Sequence, residues 1–269
     1  MEVALSPRPT SSRTAAQPFA PISGKGSAAR VRPTEVALQI AASEVDIHAQ
    51  HVEVVPRQRS ELATRVLNLS IASVALLTIA PVMAIVAVLV KLTSRGPVLY
   101  TQTRVGMDRR WRQKQTDDRR THDHGGRPFE IYKFRSMCVD AEADGKAVWA
   151  QKEDPRVTPI GAFLRRTRLD ELPQLYNVLL GDMNVVGPRP ERPSIFAELR
   201  QDIPEYPLRQ RVKPGITGWA QINQAYDACI DDVRNKVRYD LEYLERQSLG
   251  MDLRIMSRTI PVMLRRGGQ

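Results

Sequence analysis

Residues 66–90 read VLNLSIASVALLTIAPVMAIVAVLV and contain no charged residue. At about 1.5 Å of rise per helical residue, such a run matches the roughly 30 Å hydrocarbon core of a bilayer. A soluble helix apolar on every face for that length is unusual, so the segment belongs in a membrane. Pro81, near its middle, lacks an N–H donor and clashes with the preceding turn, which predicts a kink. Basic residues flank the run on both sides: Arg57, Arg59 and Arg65 before it, Lys91 and Arg95 after it. A one-way span carries its Lys/Arg excess toward the cytoplasmic end. The residues therefore leave two readings open, a hairpin that dips into one leaflet and returns, or a kinked span.

Outside this run the chain is polar and basic. Its 269 residues include 40 Lys and Arg against 30 Asp and Glu, a formal charge of +10. The length allows one domain with a tail, or two small domains. Cys138 and Cys229 are the only two cysteines and lie far apart, which excludes a disulfide scaffold and a Cys-based zinc site. The charge suits nucleic acid, an anionic membrane surface or a phosphorylated substrate, and composition does not choose among them. Residues 1–60 hold six of the 19 prolines and one aromatic residue, Phe19. They are expected to form a disordered polar tail, with a short helix over residues 35–48. The start, MEVALSPRPTSSR, has an early Glu2 and no apolar core, which argues against a secretory signal.

Residues 95–135 carry eleven Lys and Arg against five Asp and Glu. Val98, Leu99 and Tyr100 follow a Gly-Pro turn and predict a short strand; FEIYKFRSM predicts another, ending in Lys133 and Arg135, which can face an anionic ligand. Between them lies a charged loop, residues 111–127, closed by Gly125-Gly126. Its His122 and His124 lack a further His or Cys nearby, so a solvated pair is expected rather than a metal site.

The chemistry concentrates in DPRVTPIGAFLRRTRLDELPQLYNVLLGDMNVVGPRPERP, residues 154–193. Leu164, Leu169, Leu172, Leu175, Tyr176 and Leu179 recur at helical spacing and predict one buried face, with Pro173 starting a new helix or kinking a continuous one. Asp170 and Glu171 are adjacent carboxylates preceded by Arg165, Arg166 and Arg168. Adjacent positions diverge by about 100° on a helix, so the two cannot share one proton across a cleft. They can divide labour, one attacking phosphorus while the other holds a hard cation such as Mg²⁺. Pro188 and Pro190 stiffen the turn presenting Arg189, whose guanidinium suits a phosphate. Trp219 and Gln221 in RVKPGITGWAQI are candidates to flank a nucleotide base, although Trp219 equally suits a core. No GxGxxG, P-loop or Ser-His-Asp pattern is present. The C-terminal stretch MDLRIMSRTIPVMLRR sets apolar residues beside arginines, as a membrane-surface helix does, with Pro261 expected to bend or end it.

The blocks GPVLYTQTRVG, FEIYKFRSM, DPRVTPIGAFLRRTRLDELPQLYNVLLGDMNVVGPRPERP and KPGITGWAQIN, in this order, resemble the bacterial sugar transferases. More narrowly, they resemble the monotopic polyprenyl-phosphate phosphoglycosyl transferases, over roughly residues 62–265. The resemblance implies an enzyme that moves a sugar-1-phosphate from a UDP-sugar onto polyprenyl (undecaprenyl) phosphate and releases UMP. It would start exopolysaccharide or surface glycan assembly at the bacterial inner membrane, with its catalytic domain facing the cytoplasm. Mapped onto this chain, it makes Asp170 the nucleophile and Glu171 the Mg²⁺-associated partner. Lys133, Arg165 and Arg189 become phosphate contacts. It also implies a re-entrant membrane helix broken at a Ser-Pro pair. Here Ala80-Pro81 stands in that place, so help for the break must come from elsewhere, such as Thr78.

The expected fold is thus a mainly α (α+β) membrane-associated domain with a short β element. The expected divisions are a disordered tail (1–60), a proline-broken re-entrant membrane helix (61–94) and a cytoplasmic catalytic domain with an amphipathic C-terminal helix (95–266). No nucleic-acid partner is expected. The alternative, a membrane-anchored basic scaffold or regulator binding acidic lipid or nucleic acid, gives no reason for LDELPQL followed by GPRP.

Overall fold

The computed structural model describes residues 54–113, 123, 125–139, 141, 154–224 and 229–266. The disorder expected of residues 1–53, the helix over 35–48 and the pair His122 and His124 lie outside the described residues. Those described form a mainly helical domain with four short strands and one long apolar helix.

That helix, α1 (Glu61–Thr93), starts at Ser60, whose hydroxyl accepts from the Ala63 N–H at 3.2 Å. Helical backbone continues through Pro81, so the proline does not divide α1 into two separate helices. One turn before it, the Thr78 hydroxyl donates to the carbonyls of Val74 at 2.9 Å and Ala75 at 3.0 Å. Such back-bonding bends helices without ending them. A single stripe, including Ala72, Val86 and Val90, is buried, while Val74, Leu77, Ile85 and Leu92 are exposed.

The stripe packs on the domain toward both ends of the helix, with no buried residue between Ala72 and Val86. At its start, Arg65 donates to the Val178 carbonyl at 2.6 Å and the Leu179 carbonyl at 2.7 Å. Asn68, buried within the apolar run, accepts from the Val185 N–H at 2.6 Å. Ala72 packs with Phe129, Ile131 and Leu175, and farther along Val86 and Val90 pack with Phe134 and Leu164. Both ends of α1 therefore rest on the same domain.

Strands β1 (Leu99–Val105) and β2 (Pro128–Phe134) pair antiparallel, with Tyr100 opposite Lys133. The short α2 (Arg110–Gln113) follows β1. Then come α3 (Pro159–Thr167), a 3₁₀ turn (Leu169–Glu171) and α4 (Gln174–Leu180), which begins directly after Pro173. On α4 the buried positions are Gln174, Leu175, Asn177 and Val178; Tyr176, expected on the buried face, is exposed. Strand β3 (Asn184–Val186) pairs parallel with β4 (Gly215–Thr217), with α5 (Pro193–Asp202) and a 3₁₀ turn (Tyr206–Arg211) between them. Gly215 permits this pairing, since a Cβ there would lie 2.0 Å from the Gly187 nitrogen.

The chain ends with α6 (Trp219–Asn223), α7 (Ile230–Arg246) and α8 (Leu249–Arg266), whose helical backbone passes through Pro261. The last residues assigned to the tail are part of this fold. Val54 is 2% exposed, in a cluster with Val186, Tyr243 and Ile255. The Arg57 N–H donates to the Leu244 carbonyl at 2.9 Å, and Arg59 pairs with Asp252 at 2.8 Å. Residues 54–60 are therefore tied to α7 and α8. Seven residues of modest apolarity gave no periodic signal of this.

Candidate active site

Asp170 and Glu171 sit on the 3₁₀ turn between α3 and α4. The turn is entered through Arg168 at φ 59°, a left-handed conformation uncommon for a residue with a side chain. This abrupt entry ends α3 and turns both carboxylates inward, where each is buried. They line a cleft of about 470 Å³ together with Lys133, Arg165, Arg168 and Arg189. Strand β2 supplies Lys133, α3 supplies Arg165, and the Pro188–Pro190 turn after β3 supplies Arg189.

The two carboxylates have opposite surroundings. Lys133 Nζ lies 3.3 Å from Glu171 Oε1, Arg168 Nη1 lies 3.8 Å from the same oxygen, and Arg189 donates to both Glu171 oxygens. Burial works to raise the Glu171 carboxyl, but Arg189 and Lys133 outweigh it and hold it well below the usual carboxylate range. Burial also draws the Lys133 ammonium below its usual value, against the pull of Glu171. At Asp170 the same cations, Lys133, Arg189 and Arg168, are outweighed, and its Oδ1 is buried without a hydrogen-bond partner among the described residues. Burial, and next the charge of Glu171, push Asp170 up to about 6.

This arrangement bears on a divalent cation. Among the described residues no group of three His, Cys, Asp or Glu could hold a metal alone. Mg²⁺ commonly takes one or two carboxylates and completes its shell with substrate phosphates and water. The orphaned Oδ1 of Asp170 fits that need, whereas the oxygens of Glu171, the residue expected to hold the ion, are engaged by Arg189 and Lys133.

Beneath the Arg189 turn lies a buried support. Arg209, 0% exposed, pairs with Asp240 on α7 at 2.7 Å, and donates to the Tyr206 hydroxyl at 2.7 Å and the Arg189 carbonyl at 3.1 Å. Sequence reasoning missed this group, because a buried arginine has no local signature. The available signal was on α7: Val233, Val237, Asp240, Tyr243 and Leu244 follow helical spacing, so Asp240 falls on the buried stripe. A second missed group lines the cleft farther out, where Glu191 lies 3.3 Å from Arg104 and 3.9 Å from Lys236.

The structure gathers Lys133, Arg165, Asp170, Glu171 and Arg189 at one cleft. It does not bring Trp219 and Gln221 there. Trp219 packs against the cluster containing Val186, Ile222 and Tyr243, and its indole N–H donates to Glu242 at 2.9 Å. Gln221 donates to the Ile216 carbonyl at 3.0 Å. Both serve the packing of α6, and neither lines the cleft.

Comparison with known proteins identifies the family of the chain. The model of the bacterial sugar transferase family matches residues 59–266. The chain is 42% identical over 200 residues to a UDP-N-acetylgalactosamine-undecaprenyl-phosphate N-acetylgalactosaminephosphotransferase of Aeromonas hydrophila, covering 74% of this chain and 43% of that protein. It is 43% identical over 203 residues to a UDP-glucose:undecaprenyl-phosphate glucose-1-phosphate transferase of Escherichia coli (strain K12), covering 75% of this chain and 40% of that protein. A protein of Caulobacter vibrioides with the same name as the latter is 38% identical over 212 residues, covering 78% of this chain and 72% of its own length. The chain thus spans about two fifths of the first two relatives and more of the third. With a family match over most of its length, the chain belongs to the bacterial sugar transferase family.

Proposed function

We propose that this chain transfers a sugar-1-phosphate from a UDP-sugar to undecaprenyl phosphate, through a phosphosugar carried on Asp170. The observation that carries this reading is the contrast between the two carboxylates, Glu171 held by cations and Asp170 buried beside it with an unpartnered oxygen. Related proteins named for this activity with different sugars support the substrate classes.

In the first step an Asp170 oxygen bonds to the sugar-bearing phosphorus. The bond from that phosphorus to the bridging oxygen breaks, and UMP leaves with the electron pair. In the second step an oxygen of undecaprenyl phosphate bonds to the same phosphorus, and the Asp170–phosphorus bond breaks to restore the carboxylate. Neither step requires protein to store a proton. Arg165, Arg168 and Arg189 offset phosphate charge as it redistributes, in a cleft where such charges act strongly. Glu171 fixes Lys133 and Arg189 in place and so preorganises them. Asp170, with substrate phosphates, would hold Mg²⁺. The ion's contribution when bound is neutralisation of the diphosphate.

Membrane association places the cleft beside its lipid substrate. The exposed apolar face of α1 supplies the anchor. That Arg65 and Asn68 near one end and Val90 at the other contact a single domain supports the reading that both flanks of α1 lie on one side of the membrane. In this reading the helix enters one leaflet and returns, and the undecaprenyl-phosphate and UDP-sugar substrates set the domain at the cytoplasmic face of a bacterial inner membrane. Incubating the purified protein with a panel of UDP-sugars in detergent tests the activity. UMP release with at least one of them supports it, and no release with any, in folded protein with Mg²⁺ and lipid acceptor, contradicts it.

A further inference from the structure

Pro188 and Pro190 carry no N–H, so the turn that presents Arg189 cannot close on itself through an ordinary backbone ladder. Its carbonyls have to be met from other elements, and four in succession are. The Pro188 carbonyl accepts from the Gly215 N–H on β4 at 2.9 Å, and the Glu191 carbonyl accepts from the Val105 N–H on β1 at 2.8 Å. Side chains meet the two between them. Arg209 donates to the Arg189 carbonyl at 3.1 Å, and Arg104, from the end of β1, donates through Nη1 to the Pro190 carbonyl at 3.1 Å.

Arg104 is itself held in place. Its Nη2 donates to Gln102 Oε1 at 2.6 Å, two residues earlier on the same face of β1, and its Nη1 also reaches Glu191 Oε1 at 3.3 Å. Burial lowers the Arg104 guanidinium from its usual value; Glu191 opposes this, and the charges of Arg189 and Arg192 add to it. Glu191 is thus the carboxylate that lets Arg104 stay beside two other arginines. An arginine on a cleft wall is ordinarily a candidate to grip phosphate. Here both terminal nitrogens are committed to protein acceptors, and Nε is buried out of a substrate's reach. The side chain is placed to hold protein rather than ligand.

We propose that Arg104 is a positioning residue for Arg189: by fixing the Pro190 carbonyl from β1, it sets the direction in which the turn presents the Arg189 guanidinium. The β1–β2 hairpin then governs both cations at Glu171. Lys133 on β2 meets that carboxylate directly at 3.3 Å, and Arg104 on β1 acts on it through the turn whose Arg189 donates to both its oxygens. The effect on turnover rests on the transfer reading above, whereas the hold on the turn does not.

Geometry and turnover are measured separately, on full-length protein in detergent. In Arg104→Gln, hydrogen exchange of the peptide spanning residues 185–192 should quicken about tenfold, while peptides of α7 exchange as in wild type. Arg104→Lys keeps a charge beside Glu191 but cannot reach Gln102 and Pro190 together, so it should quicken the same peptide about threefold. It carries the measurement if Arg104→Gln does not fold, and unchanged exchange in the folded variant overturns the proposal. For turnover, kcat/KM for UMP release should fall about tenfold in Arg104→Gln, but by less than about twofold when the change is made in an Arg189→Ala background. Equal losses in the two backgrounds also overturn it, because a residue acting on the fold or on substrate directly loses the same amount with or without Arg189. A wild type that releases no UMP from any UDP-sugar ends the transfer reading, while exchange still decides whether Arg104 holds the turn.

Discussion

Lys133 and Glu171, 38 positions apart in sequence, meet at 3.3 Å between a strand and a 3₁₀ turn, and Arg189 donates to both oxygens of the same carboxylate. The contact makes Glu171 a partner of cations before any substrate arrives. Glu171→Gln removes the charge while keeping the shape, and leaves Lys133 and Arg189 facing each other unbalanced. Turnover should fall by about a hundredfold or more, with loss of stability of roughly 3–5 kcal/mol. In a double-mutant cycle, Lys133→Met should cost less in the Glu171→Gln background than in wild type. Additive losses would show that the pair does not act together.

Arg209 should matter through Arg189, whose carbonyl it holds at 3.1 Å. Arg209→Lys keeps a charge near Asp240 but loses the fork that reaches Tyr206 and Arg189 together. Turnover is expected to fall while the folded state survives, whereas Asp240→Asn, which strands a buried guanidinium, should lower stability by about 3–5 kcal/mol. Denaturant melts and steady-state kinetics on the two variants separate these effects. Wild-type kinetics in Arg209→Lys would show that the support is not needed for catalysis.

The N-terminal boundary of the working domain should fall at Val54. Removing residues 1–52 is expected to leave turnover and thermal stability near wild type. Removal through residue 58 takes away buried Val54 and the Arg57–Leu244 hydrogen bond, and should cost roughly 2–4 kcal/mol. Equal melting temperatures for the two truncations would contradict the packing of this segment.

The same side of the membrane should hold both flanks of α1. Cysteines placed at the exposed positions Gln58 and Arg95, after replacement of Cys138 and Cys229, should both resist an impermeant thiol reagent in intact cells and react once cells are opened. Labelling of only one in intact cells would establish a span.

Much of this was legible before the structure, and the divisions are physical. The apolar run, the alternation in FEIYKF and the Pro173 helix start are local patterns, and α1, β2 and α4 carry them. The meeting of Asp170, Glu171, Lys133, Arg165 and Arg189 in one cleft was expected from the resemblance, since no spacing rule joins a strand to a turn so far along the chain. The parallel pairing of β3 with β4 gave no signal, because it joins segments that look like loop when read alone, and of the Arg209–Asp240 pair only Asp240, on the periodic stripe of α7, could be read as buried. Trp219 was left open between two places for a related reason. An aromatic residue after a Pro-Gly turn suits a base or a core, and here its neighbours Val186 and Tyr243 come from distant segments.

The central claim is that Asp170 forms a bond to phosphorus. Wild-type protein mixed with labelled UDP-sugar, without lipid acceptor, and quenched rapidly should carry label on the peptide containing Asp170. The Asp170→Asn variant should carry none and turn over at least about ten-thousand-fold more slowly at any Mg²⁺ concentration, since an amide cannot supply the attacking oxygen. Product formation in wild type on lipid addition, with no label ever trapped on protein, would mean direct transfer between the two substrates and would contradict the account.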